Sequence, residues 1–441
     1  MIEALRNALR LADVRNKLLI TGLILVIYQF AAHVPVVGVD RTALQQVLES
    51  NSGGFIGVLN LLSGGAVQNF SVIANGVYPY ITASIIFQLL IPIVPALEQM
   101  QREPGGQERL QRYQYYLAIP MAILQSVGQI QIFSSLGSGG TFTPIIPNFG
   151  IDPVLTVAVV VTMTAGTMFA IWLGELITEQ GIGNGLSIII FSGIVAQAPG
   201  RLIQLANSST HAPFDLGLFV VITVLSLVAI IFIQEGVRRV PVQYGKRVRG
   251  RKQYGGASSH IPMRVNPVGM IPLIFAQSII TFPAIIANLF PEGAVGDYIT
   301  NTFGQQNGLG YWLTFFLLVV GFTFLYTDIM VLNQNLAEQL QRNGGFIPGI
   351  RPGKRTQEYI QNVTRRITLV GALFLGVIAI VPGLVQVLNG FVFPAETVNT
   401  QLNAASVLSG SGLIIVVGVV IDTMRQLEAQ LVMRNYEGFM R

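Results

Sequence analysis

The residues from Gly53 to Gln99 read GGFIGVLNLLSGGAVQNFSVIANGVYPYITASIIFQLLIPIVPALEQ, and the breaks in this apolar stretch decide the fold. A short apolar piece, 54–62, lies between glycines and is followed by polar residues and then by a longer apolar run, 72–97. A helix needs about 20 apolar residues to cross a bilayer, so only the second run is long enough. Membrane proteins tolerate such a broken element only around a cavity. We therefore predict that the functional path lies beside this stretch.

The composition places the whole chain in a membrane. It has 441 residues, of which 51% are hydrophobic and only 11% are charged, and its mean hydropathy is +0.60. Soluble domains carry about 25% charged residues, so we predict an all-α polytopic membrane protein. The absence of cysteine excludes disulfides and thiolate metal sites, and the three histidines are far apart in sequence. We expect no metal and no cofactor.

Ten apolar windows recur along the chain, separated by charged residues or by glycine and proline. We predict ten transmembrane helices at 18–35, 72–97, 113–133, 153–177, 186–205, 216–234, 267–290, 309–332, 367–385 and 404–424. The even number of spans puts both termini on the same side of the membrane. Five spans fall in each half, 1–206 and 207–441, and an odd number per half predicts inverted, pseudo-symmetric halves around a central pore.

The positive charges indicate which side holds the termini. The chain has 26 lysines and arginines, and all except Arg41 and Arg201 lie in the termini or in the even-numbered connections between spans. Positively charged connections stay on the cytoplasmic side, so we predict that both termini are cytoplasmic. Attraction of these cations to anionic lipid headgroups accounts for most of the basic pI.

Two of the cytoplasmic connections, 235–266 and 333–366, are longer than orientation requires. The first alternates apolar and polar residues around Gly245, which is typical of a β-hairpin. The second contains two clusters of glycine and proline, which interrupt a helix and favour a stiff turn. The cations in these two connections include Arg238, Arg239, Lys246, Arg247, Arg249, Arg251, Arg351, Lys354 and Arg355. Loops of this length are functional or disordered, and their rigid composition favours function.

No constellation for catalysis is present in the sequence. It has no phosphate-binding Gly-Lys-Ser/Thr loop, no His-Glu-x-x-His motif and no Gly-x-Ser-x-Gly elbow. The run from Gly181 to Gly185 imitates a nucleotide fingerprint, but it follows a membrane span rather than a strand, so we interpret it as a tight turn. We therefore do not expect an enzyme.

Ionisable residues inside spans usually mark ion or proton pathways, and in this chain they lie near span ends. They are Glu175, Asp328 and Asp422. A transporter coupled to protons or sodium ions would hold a charge deeper in the membrane. This argues against a secondary transporter of a small solute, which the layout in two halves alone would favour.

Uncharged polar residues mark two of the spans at helical spacing. They are Thr82, Ser84 and Gln88 on 72–97, and Gln277, Ser278 and Thr281 on 267–290. Ordinary hydrogen bonds between helices, worth about 0.6 kcal/mol, are one interpretation. The other is a seam between the two helices that parts easily, since weak uncharged bonds suit a gate better than a permanent joint.

Three motifs, GVYPYITASII at 76–86, ITEQGIGNG at 177–185 and PGIRPG at 348–353, resemble the SecY family. Members of that family are the pore-forming subunits of the bacterial Sec protein translocon. The likeness covers essentially the whole chain, including span number, orientation and the two long loops. It implies a channel that passes unfolded secretory polypeptides across the bacterial plasma membrane and releases transmembrane segments sideways into the bilayer. The small-solute transporter is the alternative.

The resemblance also implies roles for individual residues. A pore ring would consist of Val77, Ile81, Leu186, Ile190, Ile274 and Ile415. A plug at 54–65 would stop the pore from outside with Gly54, Phe55, Ile56, Val58, Leu59, Asn60, Leu61 and Leu62. A lateral gate between 72–97 and 267–290 would be faced by Thr82, Gln88 and Phe282.

Partner proteins are implied as well. SecE would clamp the two halves, and SecG would be a further subunit. The basic loops would dock the motor ATPase SecA or the ribosome, with Arg351 coupling the chain to SecA. Signal peptides and preproteins would be the substrates, and anionic lipids would contact the basic side.

Overall fold

The chain folds mainly into α-helices, and a computed structural model describes residues 12–50, 63, 65–137, 145–208, 212–244, 247–249, 252–254, 258–287, 309–334, 336–384 and 411–439. The first half contains α1 Ala12–Ala31, α2 Arg41–Ser50, α3 Tyr78–Leu90, α4 Pro95–Arg102, α5 Gly106–Gly137, α6 Pro153–Gln180 and α7 Gly185–Ser208. The second half contains α8 Ala212–Glu235, α9 Ile271–Ala287, α10 Leu309–Gln334, α11 Leu336–Arg342, α12 Lys354–Ala379 and α13 Ser411–Phe439. Its strands are β1 Val237–Tyr244, β2 Arg247–Arg249, β3 Lys252–Tyr254, β4 Ser258–Arg264 and β5 Gly345–Phe346.

Each of the ten predicted spans overlaps a helix. Among the described residues, five helices are long and apolar enough to cross a membrane, and the bent pair α3 and α4 would make a sixth. Helices α7, α8 and α9 contain shorter apolar stretches. The prediction of an all-α polytopic membrane protein is confirmed, whereas ten complete crossings remain a prediction.

The outer faces of the helices are apolar, as contact with lipid requires. Phe30 of α1 is 74% exposed and Phe232 of α8 is 77% exposed, and Val157 of α6 also points outward. Soluble monomers rarely expose contiguous apolar faces of this kind. The apolar surface therefore belongs against lipid hydrocarbon.

The second span differs from the continuous run predicted for 72–97. The structure has turns at 72–77, then the 13-residue helix α3, then α4, which is bent from α3 by 106°. Pro79 lies in the first turn of α3, where its missing N–H group costs no hydrogen bond. Pro92 and Pro95 cannot donate the bonds that would continue α3, so the helix ends before them. Proline therefore divides a stretch that hydropathy alone makes continuous.

The two halves contact each other along two seams. In the first half α1 packs on α6 and α7, and α5 packs on α3 and α6; in the second, α10 packs on α9 and α12, and α8 on α13. Between the halves, α3 and α5 contact α9, and α7 contacts α13. The division into halves of five spans each and their inverted symmetry both stay predictions.

The glycine-rich connection between α6 and α7 is a tight turn, as predicted. Gly183 has a φ of +86°, which glycine adopts without strain. Gly185 approaches α6 so closely that a Cβ there would lie 1.8 Å from the Gly174 carbonyl oxygen. The glycines serve helix packing, and the interpretation against a nucleotide fingerprint is confirmed.

The two long connections form one unit instead of two independent loops. Strand β1 pairs antiparallel with β4 on one edge and with β5, from the other connection, on its second edge. Val240 and Val242 of β1 share a small buried core with Leu340, Ile347 and Ile360. We call β1, β4, β5 and this core the sheet unit. The sequence predicts β-structure in the first connection but misses the pairing between the connections.

The predicted hairpin around Gly245 is wrong in its position. The pairs are β1 with β4 and β2 with β3, so the chain reverses between Arg249 and Lys252. Gly245 itself lies outside the described residues. Alternation identifies the strand, because Val240 and Val242 face the buried core, but a glycine alone does not locate the turn.

Helix α6 approaches the turn at Val72 so closely that only glycine fits at position 166. A Cβ there would lie 2.0 Å from the Val72 carbonyl oxygen. We expect Gly166→Ala to lower the free energy of unfolding by about 1–3 kcal/mol, as overpacked sites do, and to lower the thermal midpoint in detergent. Gly321→Ala is the control, because nothing lies within 4 Å of a Cβ at that position of α10. An unchanged midpoint for Gly166→Ala would contradict the close approach.

Candidate functional site

The six aliphatic residues predicted for the pore ring all belong to one large apolar cluster, and their arrangement as a ring stays a prediction. Its buried members include Val77, Ile81, Ile190, Ile274 and Ile415, and Leu186 packs against them. Helices α3 and α7 of the first half and α9 and α13 of the second half contribute to it. The cluster therefore joins residues that are far apart in the chain and lies between the two halves.

Local sequence explains how Val77 and Ile81 reach this cluster. The turns at 71–77 are closed by backbone hydrogen bonds, such as the 2.8 Å bond from the Gly76 N–H group to the Ile73 carbonyl oxygen. Gly76 has a φ of +54°, and Pro79 then starts α3. Val77 and Ile81 are four residues apart, and so they share one face of the helix. The turns thus place the start of α3 in contact with the cluster.

The cluster has the chemistry of a seal rather than of an ion site. Among the described residues, no Lys, Arg, Asp, Glu or His is buried. Aliphatic side chains offer an ion no ligands, and a hydrophobic constriction excludes water when it is narrow. Such a cluster can close without binding what passes through it.

The seam between α3 and α9 contains a hydrogen bond that sequence reasoning missed. The Tyr78 hydroxyl donates to the Ser278 backbone carbonyl at 2.6 Å, and both residues are buried. Tyr78 precedes Pro79 at the start of the helix, and a tyrosine in an apolar run is the signal that could have identified it. The described contact between the two helices is thus uncharged, as predicted, but it uses a different side chain.

The polar side chains predicted for this seam bond within their own helices. The Thr82 hydroxyl donates to the Tyr78 carbonyl oxygen at 3.1 Å, and Gln88 donates to the Ser84 hydroxyl at 3.3 Å. The Ser278 hydroxyl donates to the Ile274 carbonyl oxygen at 2.8 Å. Four of the six predicted side chains, those of Thr82, Ser84, Gln88 and Ser278, therefore form bonds within their own helices.

A cavity of about 450 Å³ lies beside the seam, between α3, α4, α5 and α10. Its polar lining is dominated by glutamine: Gln88, Gln101, Gln107, Gln111 and Gln114, together with Tyr80 and Tyr326. Tyr80 donates to Gln114 across 3.3 Å, while the buried Oε1 atom of Gln88 has no hydrogen-bond partner among the described residues. The cavity thus offers donors and acceptors without charge.

Two predicted features lie partly outside the described residues. Gly54 to Leu62 of the plug are not among them, and neither is the side chain of Phe282, although its backbone is part of α9. Ser63 and Gly65, at the end of the plug segment, are described, and Ser63 is buried. The positions of Ser63 and Gly65 therefore show where that segment joins the rest of the fold.

The predicted docking cations lie in and around the sheet unit. Arg238 and Arg239 are exposed on β1, and Arg351, Lys354 and Arg355 are exposed at the start of α12. Arg247 and Arg249 belong to β2, whereas Lys246 and Arg251 lie outside the described residues. The pairing of β1 with β5 connects the backbones that carry both groups of cations.

The ionisable residues near span ends are paired, as expected of structural charges. Glu175 accepts a hydrogen bond from the Tyr115 hydroxyl, and Asp328 accepts two from Arg365, the shorter at 3.0 Å. Arg425 lies 3.9 Å from Asp422 and donates to Glu235 at 2.9 Å. Within the described part of the chain, no group of histidines and carboxylates could hold a metal ion.

Comparison with known proteins gives one consistent family. The SecY family model matches residues 71–424. Protein translocase subunit SecY of Halalkalibacterium halodurans is 40% identical over 452 residues, which cover 100% of both chains. The fold is similar to two solved channels at TM-scores of 0.61 and 0.60, with 17% and 16% identity, each covering 96% of this chain and 94% of the other. One is a SecY whose plug domain is described as stabilising the closed state and maintaining a membrane seal, and the other is Sec61 in a canine ribosome-channel complex.

Tyr78→Phe tests the hydrogen bond across the seam. Loss of this bond costs about 1 kcal/mol, so we expect α3 and α9 to separate roughly fivefold more often. Thiol labelling of Ser278→Cys, a buried position in a chain without cysteine, should accelerate by that factor. Tyr116→Phe, on the exposed face of α5, is the control in the same background. Equal labelling rates with and without the Tyr78 hydroxyl would show that the bond does not hold the seam.

Proposed function

The chain belongs to the SecY family, and from that membership we propose that it forms a channel for unfolded secretory polypeptides. The polypeptides cross a bacterial plasma membrane through it, and transmembrane segments leave it sideways into the bilayer. The observation that carries this proposal is the aliphatic cluster, to which both halves contribute and which contains no buried charge among the described residues. The chain is a channel subunit and not an enzyme.

The cluster supports a ring that seals with or without a substrate. Val77, Ile81, Leu186, Ile190, Ile274 and Ile415 form this ring. Packing between aliphatic side chains has no preferred direction, so the ring adapts to an extended polypeptide of any sequence. An ion gains no ligand there, and its cost of dehydration keeps it out while the ring is closed. The segment 54–65 acts as the plug that reinforces the closed ring.

The seam between α3 and α9 is the lateral gate. Thr82, Gln88 and Phe282 face it, and the glutamine-lined cavity lies beside it. The Tyr78 hydroxyl supplies a bond between the two helices that is modest in strength, so an apolar segment of substrate can replace the contact. Signal peptides and transmembrane segments enter the lipid by this route.

The exposed cations around the sheet unit support a docking surface for a motor or for the ribosome. Arginine binds carboxylates and phosphates through paired hydrogen bonds, so acidic proteins and ribosomal RNA are both suitable partners. SecA binds this surface through Arg351 and its neighbours, and the ribosome uses the same side during synthesis. The likeness to Sec61 in a ribosome-channel complex supports the second partner.

The remaining assignments concern the surroundings of the channel. Both termini and the sheet unit lie in the cytoplasm, next to anionic lipids. SecE clamps the halves 1–206 and 207–441 together, and SecG completes the complex. A small-solute transporter is not favoured, because the charged residues Glu175, Asp328 and Asp422 lie near the ends of the predicted spans and have partners.

A crosslink across the gate tests the function directly. The chain has no cysteine, so Thr82→Cys with Phe282→Cys introduces a unique pair. A disulfide between them should reduce preprotein export and membrane insertion to near background, because α3 and α9 cannot part. When the same two cysteines are joined by a long, flexible bis-maleimide instead of a disulfide, export and insertion should stay close to those of the uncrosslinked channel. Normal transport with the disulfide formed would refute the gate.

A charge reversal at Arg351 tests the docking surface. Arg351→Glu should reduce ATP-driven export at least tenfold while leaving assembly with the partner subunits intact, because the side chain is exposed. The expected cause is repulsion of an acidic partner site in place of attraction. Arg112→Glu reverses another exposed arginine, outside both long loops. Export that falls equally in both variants, or in neither, would contradict the role of Arg351.

A further inference from the structure

Ser63 and residues 65–77 form a junction that leads into α3, and Ser63 and Gly65 are the described end of the proposed plug segment 54–65. Successive turn bonds run along it: Val67 donates to the Ser63 hydroxyl at 3.3 Å, Phe70 to the Val67 carbonyl at 3.0 Å, and Ser71 to the Ala66 carbonyl at 3.1 Å. The turn that follows α1 holds its middle, since the Val72 N–H group donates to the Val34 carbonyl oxygen at 2.9 Å. Hydrogen bonds therefore hold the middle of the junction and its end next to α3.

The beginning of the junction is tied to α1 by a different contact. The Tyr28 hydroxyl donates to the Ser63 backbone carbonyl at 2.8 Å, and both residues are almost fully buried. On the other side, Gly65 has a φ of +95° and approaches α7 so closely that a Cβ would lie 2.8 Å from the Gln197 side chain. Ser63 and Gly65 are thus enclosed between α1 and α7.

Tyr28 also belongs to the apolar cluster of the proposed ring. Its side chain shares that cluster with Ala66, Ile73 and Val77. The ring of Tyr28 therefore packs with the seal, while its hydroxyl group reaches the start of the junction. A phenylalanine would supply the same packing without the hydrogen bond, so the hydroxyl has a separate effect that can be measured.

We propose that Tyr28 is a positioning residue that fixes the start of the junction and so holds the channel closed. This inference rests on the proposed function, because Ser63 lies near the end of the proposed plug segment, 54–65. Without the hydroxyl, the buried Ser63 carbonyl loses this donor, and the loss of a buried hydrogen bond is destabilising. Residues 63–67 then open more often, while 72–77 stay held by the turn that follows α1 and by their own turns.

Amide hydrogen exchange of the full chain with its partner subunits tests the position of this effect. In Tyr28→Phe the amides of Val67 and Ser71 should exchange roughly fivefold faster, the factor expected for one lost buried bond. The amides of Gly76 and Tyr78 serve as an internal control and should not change. Tyr116→Phe should change none of them. Unchanged exchange at Val67 and Ser71, or a uniform rise along the whole chain, would overturn the proposal.

Ion conductance in planar bilayers tests the consequence for the seal. Tyr28→Phe should raise the resting leak several-fold, and deletion of 54–62 should raise it further. An unchanged leak after the deletion would refute the plug, while the exchange experiment would still decide whether Tyr28 fixes the junction. If the deletion raises the leak but Tyr28→Phe leaves it at the level of the unmodified channel, Tyr28 does not hold the channel closed.

Discussion

Apolar contact between the two halves is the interaction on which the rest of the structure depends. Helices of each half contact one another, and one large apolar cluster, with members on helices of both halves, includes residues of α3, α7, α9 and α13. Burial of apolar surface is strong but not directional, so the contact stabilises a closed state without fixing one set of partners. The hydrogen bonds from Tyr28 and Tyr78 join specific pairs of groups, which apolar packing does not select.

The sequence predicts the helices well and their interruptions less well. A run of apolar residues indicates a span because the bilayer requires it, and each predicted span overlaps a helix. The second span is predicted as continuous because hydropathy counts Pro92 and Pro95 among apolar residues, whereas their missing N–H groups end α3. Hydropathy likewise hides the turns at 71–77, since their backbone bonds are made by apolar residues.

Local sequence patterns do not predict which residues far apart in the chain contact each other. The six residues proposed for the ring are assigned by resemblance, and their spacing in the chain does not reveal that they belong to one large apolar cluster. Thr82 and Ser84 have the spacing of residues that bond between helices, yet in an apolar environment a hydroxyl group readily donates to a carbonyl of its own helix, as that of Thr82 does. The partners of Tyr28 and Tyr78 are backbone carbonyls, which carry no signal in the sequence.

The pairing of β5 with β1 has a mechanical consequence. The sheet unit is attached to the ends of α8 and α10 and to the starts of α9 and α12, all of which belong to the second half. A push on either long connection therefore reaches these four helices together instead of bending one loop. Through these four helices the sheet unit is connected to both places where the halves meet, α9 against α3 and α13 against α7.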